Sequence, residues 1–537
     1  MKTLKNYIFI LACSMFMGAC SSSFLDSEPI TELTDANFYK TTEDAEMAIV
    51  GCYDGLQLIY AEGVAFPVAS EVLSDNTFGG TGNTDGLGYQ QIDEFDLSRS
   101  PSDLNQFEPN WKNYYKALYR VNMLLLKLDQ IDWKGDVAYR NSIEAQARFL
   151  RAYFYFDMVR LWERVPLIIV PTKDNVPQAE PDDIYAQITD DLLFAAENGD
   201  EEVSPGRVNK WAAKSLLARV YLFYTGYYNK TDLVGKVSKT QALQGLEDVI
   251  SSQKYGLVGT SNDGKEFKDL WPAASSKANS AGDGLETTYV GKDNKETIFA
   301  IKYNITSDYN GNTDGNHWLV MLGLREQSFC PYGKGWGACT VNPKLYNAFE
   351  NGDKRKTASI IAIQEEGLNF KNSGQREYTG YSIKKYTPLS LPDGRDVAEA
   401  NNAVNFMIGQ FQDYVVIRYA DVLLMAAELG SANAQTYFDL VRQRAGLTSK
   451  TVNQDNIMAE RRFEFAFEGI RYWDLLRQGL TVAASTIAES TTVLNGGVQA
   501  TKTITQQNIT KTRGFQMIPY NQITLSAGVL TQNEGWK

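Results

Sequence analysis

Histidine is nearly absent from this 537-residue chain, which has only His317. Chemistry that needs an imidazole base would have to run through that one side chain, and a zinc site built on a histidine pair lacks its second imidazole. Cysteine is also scarce: five residues, at 13, 20, 52, 330 and 339, with no metal-ligand spacing among them. No cluster of Lys or Arg stands out, and 52 basic residues against 65 acidic ones leave a net charge of −13. Phosphate backbones need a concentrated positive patch, so nucleic acid is excluded as an expected partner. Gly-rich phosphate loops, H-E-x-x-H and G-x-S-x-G are all missing, and with them the usual marks of a nucleotide enzyme, a zinc protease or a serine hydrolase. No catalytic residue, metal or cofactor is therefore expected. Past the N-terminus no apolar run is long enough to span a bilayer.

The N-terminus has the form of an export leader. Lys2 and Lys5 precede a short apolar run from Tyr7 to Met17. Met17-Gly18-Ala19-Cys20 then resembles a bacterial lipobox, which makes residues 1–19 a signal peptide and Cys20 the lipidated first residue of the mature chain. Without Lys2 and Lys5 the charge becomes −15. Residues 20–40 read as a tether and 41–537 as one domain. In that oxidising compartment Cys330 and Cys339, which flank CPYGKGWGAC, are placed to pair, whereas Cys52 lies in a helical pattern as an inert buried thiol.

Aromatic residues, by contrast, are plentiful, at 12% with 30 Tyr and 9 Trp. In AQARFLRAYFYFDMVRLWERVPL, Ala145, Phe149, Ala152, Phe156 and Val159 share one helical face, and Tyr153, Phe154, Tyr155 and Trp162 widen it. This helix is expected to pack on both sides and to end before Pro166. Similar stripes run from an N-cap at Thr42 through Leu56, and over 107–128, 182–197, 210–228 and 241–251. They return over 414–430, 433–445 and 456–469. Paired helices with small residues at the crossings predict a mainly α, tetratricopeptide-like repeat body. Glu296 to Tyr303 and Tyr381 to Tyr386 read as short strands, and the tail from Gly514 to Trp536 as an irregular wrap.

Two stretches break the helical period, about 66–105 and 255–342, both rich in Gly and Asn yet carrying aromatics. Long loops on a rigid scaffold are a common place for binding residues. Flat rings there could stack on sugars, with Asp, Asn and backbone groups serving hydroxyls; equally, Trp318 and Trp336 could plug the scaffold beneath the loops. Calcium bound loosely by Asp75, Asp85 or Asp93 is the one exception left open to the absence of a metal, although the EF-hand spacing is missing. Glu460, Glu464 and Glu468 fall on one helical face in ERRFEFAFEGIRYWDLLR. They read as an ion-pair network offset by Arg461 and Arg471, with a Glu464/Glu468 acid/base pair as the alternative.

The blocks FLDSEP, RFLRAYFYFDMVRLWERVPLI, NKWAAKSLLARVYLF, ETIFAIKY, VIRYADVLLMAAEL, ERRFEFAFEGIRYWDLLRQG and IPYNQITLSAGVLTQNEGW, in that order, resemble the SusD/RagB family of outer-membrane nutrient-binding lipoproteins. The resemblance implies a tetratricopeptide-like body with a ligand face built from insertions. It also implies a cell-surface lipoprotein that captures oligosaccharides and passes them to a SusC-like TonB-dependent transporter in the outer membrane. The RagB branch offers peptides as the alternative cargo. Carried onto this chain, the ligand positions are Asp75, Asn76, Phe78 and Tyr89 in the first insertion and Tyr309, Trp318, Tyr332 and Trp336 in the second. Ser21 to Phe24 departs from the acidic run that often follows the lipidated cysteine in such exported proteins.

Overall fold

The structure is a computed structural model that describes residues 38–260 and 264–537. The signal peptide, Cys20 and nearly all of the tether lie outside the described residues. Helix outweighs strand, 44% to 12%, in a tetratricopeptide-like body.

Six helices stack in sequence order: α1 (Thr42–Leu58), α2 (Glu108–Lys127), α3 (Val137–Trp162), α4 (Pro181–Asn198), α5 (Lys210–Tyr227) and α6 (Lys239–Ser251). The first cap sits one residue earlier than expected. Thr41 accepts a hydrogen bond from the Asp44 amide, and the Asp44 carboxylate accepts one from the Thr41 amide. Small residues set the helix crossings: a Cβ on Gly55 of α1 would lie 3.0 Å from that of Ala117 on α2. As expected, α3 is the two-sided element. Ala145, Phe149, Ala152, Phe156 and Val159 are all buried, and so is nearly every residue from Ser142 to Trp162. Of its off-stripe arginines, Arg151 and Arg160 are buried and paired, with Arg151 gripping Asp191 of α4 through two 2.8 Å hydrogen bonds. Arg148 pairs at the partly exposed edge.

A second helical group, α7 (Tyr419–Glu428), α8 (Ala434–Arg444), α9 (Gln454–Glu464) and α10 (Arg471–Leu476), packs on the first through α6 and α5. Its centre is a buried ion-pair network. Glu464 meets Arg355, Arg418 and Arg444; Glu460 meets Arg355 and Arg442; Glu468 meets Lys385 and Arg418. Burial alone would raise the Glu464 carboxyl, but the three guanidiniums hold it well below the usual carboxylate range. The network reading of these glutamates therefore stands. The cations are not those expected, however: Arg461 pairs with Asp421 and Asp474, and Arg471 with Asp75.

Short two-stranded ladders fasten the insertions to this body. In chain order the strands are β1 (Thr77–Gly80), β2 (Thr297–Ile301), β3 (Ala338–Val341), β4 (Ile360–Ala362), β5 (Tyr381–Ile383), β6 (Tyr414–Arg418), β7 (Glu489–Asn495) and β8 (Val498–Ile504), with two smaller pairs within 276–287 and 324–335. β1 pairs antiparallel with β3, β2 with β6, β4 with β5 and β7 with β8. Three expectations change here. Residues 414–418 form a strand, because the β-branched run Val415-Val416-Ile417 finds β2 as a partner before the helix begins at Tyr419. The first insertion contains two short helices, Phe66–Val72 and Gly88–Asp93, around β1. Cys330 and Cys339 are free thiols. Cys339 is buried on β3 with its Sγ 3.7 Å from the Val68 carbonyl, while Cys330 stays in the partly exposed loop. Cys52 is a buried free thiol, as expected.

Candidate functional site

The β1–β3 ladder decides where a site can form, because β1 belongs to the first insertion and β3 to the second. Thr77 faces Val341 and Gly80 faces Ala338, and the Thr81 amide extends the pairing to the Gly337 carbonyl at 2.8 Å. Beyond that edge the two insertions diverge and leave a recess of about 320 Å³. The first insertion supplies Thr81, Asp85 and Tyr89 to it, and the second supplies Met321, Arg325 and Trp336. Gln106, at the start of α2, closes one end.

Both rings in the recess are held by their surroundings. The Tyr89 hydroxyl donates to the Gly63 carbonyl at 2.8 Å, and burial pushes its phenol up. The Trp336 amide donates to the Val320 carbonyl at 2.9 Å, and the Arg325 guanidinium lies 5.6 Å from the indole centroid. Arg325 also crosses to the other wall, donating to Asp85 at 3.2 Å. Phe406, from a third loop, stands 6.2 Å from Trp336 and carries Lys334 over its face.

Three residues that line the recess carry unmet polar atoms. Thr81 Oγ1, Gln106 Nε2 and Arg325 Nε are all buried without a hydrogen-bond partner among the described residues. Such atoms cost free energy unless something satisfies them. A larger groove of about 730 Å³ runs between α2, residues 166–176 and residues 522–530. None of its lining residues carries an orphaned atom of this kind.

Of the eight positions carried over from the resemblance, the structure brings Tyr89 and Trp336 together and places the other six elsewhere. Asp75 is buried between Arg462 and Arg471 at 2.9 and 2.7 Å, and Asn76 accepts from Arg462. Phe78 is fully buried on β1. Trp318 is 1% exposed and packs edge-on against Tyr414 and near Tyr386, so it is the plug and not a platform. Tyr332 is buried in a small apolar cluster and donates to Glu366 at 2.7 Å. Tyr309 is 65% exposed but does not line the recess. Nor do the three calcium candidates converge: Asp75 faces two arginines, Asp85 faces Arg325 and Asp93 faces Lys502. Among the described residues no three His, Cys, Asp or Glu side chains form a metal-sized group. His317 sits between Ser307 Oγ at 2.7 Å and the Ala61 carbonyl at 3.1 Å, and burial lowers its basicity. Sequence reasoning missed Thr81, Gln106, Met321, Arg325 and Phe406; only the ring of Phe406 resembled the signal it followed.

Comparison with known proteins agrees with this architecture. A family model described as "SusD family" matches residues 363–536, and one described as "Starch-binding associating with outer membrane" matches 24–222. The chain is thus similar to SusD-family proteins in both its N-terminal and its C-terminal part. A SusD-like protein of Bacteroides ovatus is 26% identical over 501 residues, covering 88% of this chain and 82% of that one. Among solved structures, a laminarin binding SusD-like protein superposes with a TM-score of 0.70 at 28% identity, over 93% of this chain and all of the other. Surface glycan-binding protein A from Bacteroides thetaiotaomicron, solved with laminarihexaose, gives 0.71 at 24% over 92% of this chain and all of that one, which is a likeness of fold. The chain places its recess where its two insertions meet, at the edge of the helical body.

Proposed function

We propose that this protein captures oligosaccharides in the recess between its two insertions and delivers them uncleaved to a SusC-like TonB-dependent transporter, held at the outer membrane by a lipid on Cys20. The observation that carries the reading is the convergence of the half-buried Trp336 and Tyr89 with the Arg325–Asp85 pair on facing walls of one recess. An indole face stacks on the apolar face of a sugar ring, and donors set around it meet the hydroxyls. Similarity to SusD-family proteins supports the transporter and the membrane, and two structural neighbours, one laminarin binding and one solved with laminarihexaose, make laminarin the first glycan to try. Capture without cleavage fits Glu464 and Glu468, which sit among cations in the interior and do not face the recess.

The test is affinity electrophoresis of the mature chain, with Cys20 replaced by Ser, against a panel of polysaccharides, followed by calorimetry. Retardation by one glycan class without product release is expected. Trp336→Ala should abolish it with the fold intact. Trp318→Ala should instead destabilise the protein by about 3–5 kcal/mol. Undiminished binding by Trp336→Ala removes this recess as the site, and no retardation by any glycan moves the cargo to peptides.

A further inference from the structure

Three consecutive residues outside both insertions hold the recess together. Gln375, Arg376 and Glu377 lie between a short 3₁₀ turn, Asn372–Gly374, and β5, and all three are buried. Each reaches the site loops in a different way. Gln375 Nε2 donates to the Thr81 carbonyl at 3.0 Å and to the Gly337 carbonyl at 2.9 Å, joining the first insertion to the second at the point where β1 and β3 end. The Arg376 amide donates to the Thr81 carbonyl as well, at 3.0 Å. Its guanidinium then fans over the next turn of the same loop, donating to the carbonyls of Asn83, Asp85 and Gly86 at 2.9, 2.7 and 2.7 Å and to Gln90 Oε1 at 3.3 Å. Glu377 accepts from the Gly80 amide at 2.9 Å and from Gln90 Nε2 at 3.1 Å, while its other oxygen meets Lys502 at 2.8 Å.

We infer that Gln375, Arg376 and Glu377 are positioning residues that preorganise residues 80–90 for ligand, setting the gap between Thr81 and Trp336 without lining the recess themselves. All four side-chain hydrogen bonds of Arg376 go to the first insertion. A five-donor guanidinium turned toward loop carbonyls replaces the ladder that irregular backbone lacks. The loop needs such support: Thr81 holds φ of +72°, a conformation β-branched residues rarely adopt, and residues 81–87 are neither strand nor helix. Without the clamp, ligand would have to order this loop at the moment of binding, and apparent affinity would fall by the fraction of time the loop is competent.

This inference rests on the recess being the ligand site, but its first measurement does not. Hydrogen exchange is followed on the mature chain without ligand, comparing the parent with Arg376→Met and with Gln375→Met, which keep volume and lose the donors. Faster exchange confined to residues 80–90 and 337 is expected in both; unchanged protection there in either folded variant overturns the clamp, whatever the protein binds. If Arg376→Met fails to fold, Gln375→Met alone decides. The second measurement is calorimetry with the glycan the parent retards. Arg376→Met should bind about 10-fold to 100-fold more weakly, and Arg376→Lys, with charge but no fork, should fall between. Weaker binding with unchanged exchange would make Arg376 a contact residue and overturn its positioning role. A parent that binds no glycan removes the glycan reading and leaves the exchange result to judge the clamp.

Discussion

At the scale of single residues, burial sorts side chains that composition cannot. Trp318 and Trp336 are the same residue type in the same Gly-rich segment, yet one closes an aromatic core and the other faces a recess. Glu71 is a second case. It is buried with one carboxylate oxygen accepting from the Gly469 amide at 2.7 Å and the other unpartnered, and burial pushes its carboxyl up to about 8 from 4.5. The folded chain keeps a proton there that the unfolded chain releases near pH 4.5. This group's contribution therefore falls as pH rises from about 4.5 through 8. Glu71→Gln should be at least as stable as the parent at pH 8 and lose that part of the decline, read from denaturant midpoints at pH 5, 7 and 9. An unchanged slope would show that Glu71 is ionised in the folded protein.

Among the elements, the β7–β8 hairpin shows how a distant segment braces the site. Its register runs unbroken from Glu489 opposite Ile504 to Asn495 opposite Val498. That register points Lys502 inward, where it meets Asp93, Glu94 and Glu377 at 2.7, 2.9 and 2.8 Å. Two of these carboxylates hold backbone amides of β1, Asp93 that of Gly79 and Glu377 that of Gly80. One ammonium thus serves three buried acids beneath the recess, and burial raises the Asp93 and Glu94 carboxyls above the usual range. Lys502→Met should cost about 3–5 kcal/mol, because it leaves Asp93 and Glu377 buried without their cation, while Glu94 keeps Arg99 at 2.7 Å. Chemical denaturation would show it, and a loss under about 1 kcal/mol would mean that water reaches the carboxylates.

Across the whole molecule, one apolar core runs from Tyr39 to Trp536, so the two ends of the described chain depend on each other. The tail wraps back as expected. Trp536 is buried with its Nε1 donating to the Phe515 carbonyl at 2.8 Å, and Asn533 donates to the Trp162 carbonyl at 3.0 Å, at the end of α3. Truncation after Gln532 should lower stability by about 3–5 kcal/mol, the cost of emptying a buried tryptophan site. It should do so in a single cooperative transition seen alike by far-UV and near-UV circular dichroism. Two separated transitions would show that the tail folds as a unit of its own.

The helical body was legible in the residues alone, since a 3.6-residue apolar period and small residues at the crossings are local properties. The stripe of α3, the pairing of Glu460 and Glu464 on α9 into a network and the two insertions as the irregular parts all follow from spacing. Glu468, by contrast, is not on their helical face, because α9 ends at Glu464 and the chain turns through Phe467 at φ +68°. A local hairpin signal also stands at Asn495-Gly496-Gly497, between alternating Thr and Val residues, where β7 turns into β8. The strand at 414–418 was hidden because its partner lies more than a hundred residues upstream. The site was legible only as a region. Whether Asp75 meets a ligand or Arg471, whether Trp318 is exposed, and which atoms are left without partners depend on contacts between segments far apart in the chain. The pairing of β1 with β3, and Gln375 and Arg376 arriving from a third segment, belong to tertiary structure because no local periodicity encodes which distant backbone a side chain will satisfy.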